Sequence, residues 1–162
     1  MTDKAAGLFD GPAGSEALVV NAVAAAALKI GCPVTLSAAG TGELFPRVTT
    51  DTTGTAFIFG VVVGGSDNGI WVDGTTTNDG SAALAAGTTV KVCTKGRCKV
   101  RVDGSTGGTN SNIALGDPLS TSGTANIAQR AVASDYIFAR ALQTSTAFTD
   151  AILCEVTLEG VL

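Results

Sequence analysis

Short apolar runs recur along the chain, broken every ten residues or so by Gly, Pro, Asn or Asp. Runs of that length with turn residues between them predict an all-β fold of the compact barrel or sandwich kind. The most apolar run is Thr55-Ala-Phe-Ile-Phe-Gly-Val-Val-Val-Gly. It is β-branched and bounded by glycines, so it predicts a central strand. Asp67-Asn-Gly leading into Ile70-Trp-Val-Asp-Gly predicts a hairpin. Pro33 suits the start of an edge strand. Leu44 to Thr49, Pro118 to Thr121, Ala125 to Ala128, Tyr136 to Leu142 and Ala151 to Leu158 read as further strands, with loops over 75–87 and 103–112. Leu18 to Leu28 is ambiguous, since its alanines favour helix and Val19, Val20 and Val23 favour strand. Residues 1–17, rich in Gly and Ala with Pro12, predict an extended N-terminal arm, either loosely held or lying on a neighbouring subunit. A single β-rich domain over 18–162 follows it.

Val90-Lys-Val-Cys-Thr-Lys-Gly-Arg-Cys-Lys-Val-Arg-Val carries five of the chain's ten basic residues: Lys91, Lys95, Arg97, Lys99 and Arg101. The valines alternate on either side of Gly96, which predicts a second hairpin turning there. If the valines share a face, Cys93 and Cys98 point to opposite faces. A Cys93–Cys98 disulfide needs another register, or a bulge that reconciles the two demands. The spacing leaves both open.

Two corners echo each other. Ile30-Gly-Cys-Pro-Val precedes Ala56-Phe-Ile-Phe-Gly-Val, and Leu115-Gly-Asp-Pro-Leu precedes Asp135-Tyr-Ile-Phe-Ala-Arg-Ala. Either a β unit is duplicated, or both corners are ordinary punctuation of a small β-protein.

Composition then narrows the chemistry. The 162 residues are 45% hydrophobic and only 15% charged, which excludes a disordered chain. No apolar run is long enough to span a bilayer, and the first residues lack the pattern of a signal peptide, so no membrane partner is expected. The net charge of −4 argues against nucleic acid as the main partner. There is no His, which removes Ser–His–Asp and Cys–His catalysis and the mixed zinc sites. Acids such as Asp67, Asp73, Asp79 and Asp103 sit beside Gly, Asn or Ser where they cap turns. Asp73-Gly-Thr-Thr-Thr-Asn-Asp-Gly lacks the alternating acids and closing Glu of a calcium loop. No phosphate-binding glycine loop occurs. The expectation is therefore no enzyme, no catalytic residue, no metal and no cofactor. Cys32 and Cys154 lie in apolar strand contexts and read as buried thiols. The five clustered cations read either as a solvated edge that resists aggregation or as a docking surface for an acidic partner.

Several phrases resemble the decoration, or cement, proteins on capsids of tailed bacteriophages and related viruses. They are Ala25-Ala-Ala-Leu-Lys-Ile-Gly-Cys-Pro-Val, Phe59-Gly-Val-Val, and Asp135-Tyr-Ile-Phe-Ala-Arg-Ala-Leu-Gln through Asp150-Ala-Ile-Leu-Cys-Glu-Val-Thr-Leu. Together they cover about half the chain. Gln143 stands where the family commonly has an acid, and the cysteine segment has no counterpart. The resemblance implies a homotrimer on the capsid exterior, assembled in the host cytoplasm, that clamps neighbouring major capsid protein subunits. Another repetitive assembly subunit, of a fibre, pilus or surface layer, is the alternative.

Overall fold

The computed structural model describes residues 17–40, 42–65, 69–70, 83–105 and 112–161. The predicted arm therefore lies, but for Ala17, outside the described residues. All the regular elements described are strands: β1 (Leu18–Ala24), β2 (Leu28–Lys29), β3 (Pro33–Ser37), β4 (Arg47–Thr49), β5 (Ile58–Gly65), β6 (Gly69–Ile70), β7 (Ala83–Leu84), β8 (Thr89–Asp103), β9 (Pro118–Thr121), β10 (Ala128–Arg130), β11 (Tyr136–Ala141) and β12 (Phe148–Val161). The fold is all-β, as the pattern predicts. The ambiguous segment is strand over Leu18–Ala24, because its alternation buries Ala22 and Ala24 in a core between β8 and β4. The described pairs of the first predicted hairpin are in place, with Gly64 opposite Ile70 and Gly65 opposite Gly69.

Ten strands form one continuous sheet in the order β10-β9-β11-β12-β8-β1-β4-β3-β5-β6, and β8 makes two further pairings, with β5 and with β10. Those pairings close two rings. Barrel 1 runs β8-β1-β4-β3-β5 and back to β8, and barrel 2 runs β8-β12-β11-β9-β10 and back to β8. Closure removes sheet edges that would otherwise recruit other chains.

The two rings repeat each other residue by residue. Pro33 stands opposite Val61 and Val34 opposite Gly60; Pro118 stands opposite Arg140 and Leu119 opposite Ala139. Ala24 runs parallel beside Val48, and Val102 parallel beside Ala128. Val92 lies between Val20 and Val62, as Cys154 lies between Cys98 and Ala141. The corners match as well. Gly31 (φ 87) donates its N–H to Val62 O at 2.6 Å, and Gly116 (φ 84) donates to Ala141 O at 2.8 Å. The echo between the corners is thus a duplicated β unit.

Each barrel has its own core. Ala22, Val34, Val48, Val62, Val90 and Val92 belong to the first, and Val100, Val102, Leu119, Phe138, Ile152 and Cys154 to the second. Val61 and Val63, which alternate with Val62, join the second core together with Cys93. Strand β5 is therefore buried on both sides, as a β-branched run between glycines predicts.

Two expectations are corrected. The Val90–Val102 segment is not a hairpin but one strand of 15 residues that passes from barrel 1 into barrel 2. Its first half pairs with β1 and β5, and its second half with β12. A glycine turn forms only where its flanks pair with each other, and here each flank has separate partners. Gly96, at φ 98, marks the handover instead. Pro33 does begin a strand, but β3 lies between β4 and β5 and is not an edge. The missing N–H is tolerated because the flanking bonds, Gly31 N–H to Val62 O and Val62 N–H to Cys32 O, bypass it.

Candidate docking surface

The unbroken strand decides where the five cations go. Along β8 the even positions from Gly96 to Val102 point inward and the odd ones outward, so Lys95, Arg97, Lys99 and Arg101 share one outer face. Lys91 lies on the outer side of barrel 1 and is exposed. At ~3.3 Å per residue, Lys91 to Arg101 spans roughly 33 Å of strand. The face is not uniformly cationic. Arg97 Nε donates to Glu155 Oε2 at 3.0 Å, Glu155 being its direct cross-strand neighbour. Arg101 lies over the first barrel's corner, its backbone N–H donating to Gly31 O at 2.9 Å and its Nε buried there, so it is less accessible than Lys91 and Lys95.

Cys93 and Cys98, five positions apart on this strand, are both buried; Cys93 Sγ donates to Lys95 O at 3.2 Å and stands beside the Cys98 thiol. That contact and burial hold Cys98 well above an ordinary thiol pKa. Burial pushes Cys32 up to about 12 and raises Cys154 as well. All four cysteines are free of disulfides. Among the described residues no group of three or more His, Cys, Asp or Glu is placed to hold a metal. Asp67, Asp73 and Asp79 fall outside the described residues. Asp103 caps its turn as expected, its Oδ1 accepting from Ser105 N–H at 3.0 Å and from Ser105 Oγ at 2.6 Å. No described helix is long and apolar enough to cross a membrane.

Sequence reasoning missed two exposed apolar surfaces, one on each barrel. Between β3 and β4, Glu43 accepts from Gly40 N–H at 2.6 Å and from Arg47 Nε at 2.6 and 2.7 Å. The Arg47 bond, then the Gly40 bond, hold the Glu43 carboxyl below its usual range. This braced loop presents Leu44, 94% exposed, with Phe45 beside it and Leu36 exposed on β3. The corner of barrel 2 presents Leu115, 69% exposed, at the lip of an open groove of about 520 Å³. Leu142, Gln143, Thr144, Ala151 and Ile152 complete its lining. Arg140 braces this corner, bonding Glu159 at 2.6 and 2.8 Å and Gly116 O at 3.2 Å. Leu115 occupies the corner position that Ile30 holds in barrel 1, where the side chain is only 2% exposed. The duplicated phrase was visible in the sequence; which copy is covered was not.

Between the barrels the contact is polar as well as apolar. Thr121 donates to Asp51 Oδ2 at 2.8 Å and accepts from Gly54 N–H at 3.0 Å. Gly54 O accepts from Tyr136 N–H at 2.8 Å. Asn126 Oδ1, in the loop after β9, accepts from Lys29 N–H at 3.0 Å, and Phe57 meets Tyr136 edge-on at 5.2 Å between ring centroids.

The molecule is thus an all-β protein of two tandem barrels around a shared strand. No family model matches the chain. No curated protein matches it either. Among solved structures, it is similar to the N-terminal base of the head fibre protein gp8.5 of bacteriophage phi29, with a TM-score of 0.49 and 15% identity. The match covers 90% of this chain and 98% of that one.

Proposed function

We propose that this protein is a structural component of a virion, a capsid decoration or cement protein that binds neighbouring major capsid subunits from outside and is not an enzyme. The observation that carries this reading is the cation-bearing outer face of β8. Five of ten basic residues lie along one strand with a single acid, Asp103, while thirteen acids and the other five bases are spread over the rest of the chain. A basic stripe on an acidic body favours docking on an acidic partner. The cement-protein phrases in the sequence supply the class of partner. A closed β body suits this task, because a clamp must hold its shape under load. Many copies on one shell give avidity without a tight single contact.

The test is co-sedimentation with empty capsid shells. Binding is expected to weaken with salt and in the Lys95→Glu/Arg97→Glu variant; unchanged binding in that variant removes β8 from the interface. A second reading, a fibre subunit, is favoured by the tandem repeat of barrels, since repeated units stack into extended assemblies. Electron microscopy of the purified protein separates the two: discrete trimers support decoration, filaments support a fibre.

A further inference from the structure

We infer that copies of this chain dock head to tail, the Leu44–Phe45 loop of one copy seating in the Leu115 groove of the next. The inference deepens the self-assembly part of the proposed function and rests on it. Its warrant is the internal repeat, in which barrel 2 meets the corner of barrel 1 through Asn126 and Arg101.

Within the chain, the loop after β9 lies on the corner of barrel 1, where Asn126 bonds Lys29 N–H. Thr121, at the end of β9, is 1% exposed because it meets the Asp51–Gly54 segment of barrel 1. The matching elements of barrel 1 are the end of β3, with Leu36, and the loop with Leu44 and Phe45. The matching corner of barrel 2 is Ala114 to Asp117, with Leu115. Both faces of this contact are therefore present a second time in each chain, one on each barrel, and both are uncovered. Neither can reach the other within one molecule, because their counterparts already form the joint between the barrels.

The chemistry of the two uncovered faces is complementary. Where the internal joint uses Thr121 and Asn126, the free loop carries Leu36, Leu44 and Phe45. Where the internal corner is sealed, the free one is open. In barrel 1, Leu84 pairs with Leu28 and packs against Gly65, where an added Cβ would stand 2.8 Å from it. In barrel 2 the bridge matching Leu28–Leu84 is Ile113–Ser145, with Ser145 buried against Gly104, and among the described residues no leucine lies over the groove beside Leu115 as Leu84 lies over Gly65. A groove beside an exposed Leu115 lacks an apolar occupant, and an exposed, braced Leu44 lacks a pocket. Aromatic and aliphatic anchors in preformed pockets are the usual centres of protein interfaces. The contact joins two different faces, so it propagates in one direction and makes a ring if the rotation closes. It cannot copy the internal joint in full. Strand β12 continues to Val161, where an exact repeat would place the start of β1 of the next copy, so only the loop-on-corner part is shared.

The test uses single cysteines at the two faces, read by a short thiol cross-linker, because the native thiols are all buried. Leu44→Cys mixed with Leu115→Cys is expected to give a covalent pair that neither variant gives alone. Light scattering of the unmodified chain is expected to show a multiple of 16.0 kDa, lost to a single 16.0 kDa species in Leu44→Asp/Phe45→Asp with an unchanged β circular-dichroism spectrum. No cross-link in the mixture, self-cross-linking of Leu44→Cys alone, or a 16.0 kDa unmodified chain overturns the inference. Capsid shells are absent from both measurements, so a failure to bind capsids and a failure to self-associate are read separately.

Discussion

Gly60→Ala is expected to destabilise the protein, although replacing a strand glycine by alanine ordinarily adds stability. Gly60 lies on β5 opposite Val34, at the seam where β5 meets β8 and closes barrel 1. A Cβ there would stand 2.7 Å from Val92 Cγ1 and collide with the carbonyl oxygen of Cys93. Val92 is fully buried and the carbonyl is backbone, so neither can swing aside. Strand β8 has to move out by roughly 1 Å, which is overpacking of the kind that costs about 1–3 kcal/mol. Weakening a ladder bond on the seam adds about 1 kcal/mol. The usual gain from removing glycine, about 0.5–1 kcal/mol, offsets part of this. A net loss of about 2–3 kcal/mol remains, worth a fall of roughly 5–10 °C in Tm for a chain of this size. Thermal unfolding followed by circular dichroism and checked by calorimetry measures it. An unchanged or raised Tm would refute the reasoning, since it would mean that β5 and β8 do not approach as closely as the barrel closure requires. Barrel 2 has Ala139 at the matching position, so the topology itself accepts a Cβ there. The restriction belongs to the tighter seam of barrel 1.

Three further outcomes are expected. Burial pushes the Asp51 carboxyl up, but hydrogen bonds from Thr53, Thr121 and Gly54 outweigh it and leave the pKa below the usual carboxylate range. The bonded carboxylate therefore contributes stability that is present above the unfolded-state pKa of ~3.9 and lost as pH falls through the lower folded value. After solvent screening it is worth about 1 kcal/mol, and a urea midpoint in Asp51→Ala with the same acid sensitivity as the parent would count against it. Alkylation without reductant is expected to add no label to the native protein and four after denaturation, read by mass spectrometry; two would reveal a disulfide. Phe138→Ala, which empties a fully buried side chain of barrel 2, is expected to cost about 3–5 kcal/mol in chemical unfolding, and a loss under 1 would mean the site collapses around it.

Much of this architecture was legible along the chain. The turn residues and β-branched runs determined that the protein is built from strands, and the run around Val61 to Val63 marked a central one. The paired Gly-x-Pro corners carried the echo, because a corner with a left-handed glycine and a strand-starting proline is a local device, but left open whether a unit was duplicated. Tertiary structure decided the rest. Gly96 carries the same local signal whether its flanks pair together or with other strands, and only the positions of β1, β5 and β12 make β8 one strand. That choice aligned Lys95, Arg97, Lys99 and Arg101 on one face and set Glu155 against Arg97. It also separated Ile30 from Leu115, two corners alike in sequence. Ile30 is packed into the core of its own barrel with Leu28 and Leu84, and Leu115 is open to solvent, because burial belongs to what a residue is packed against and not to the residue alone.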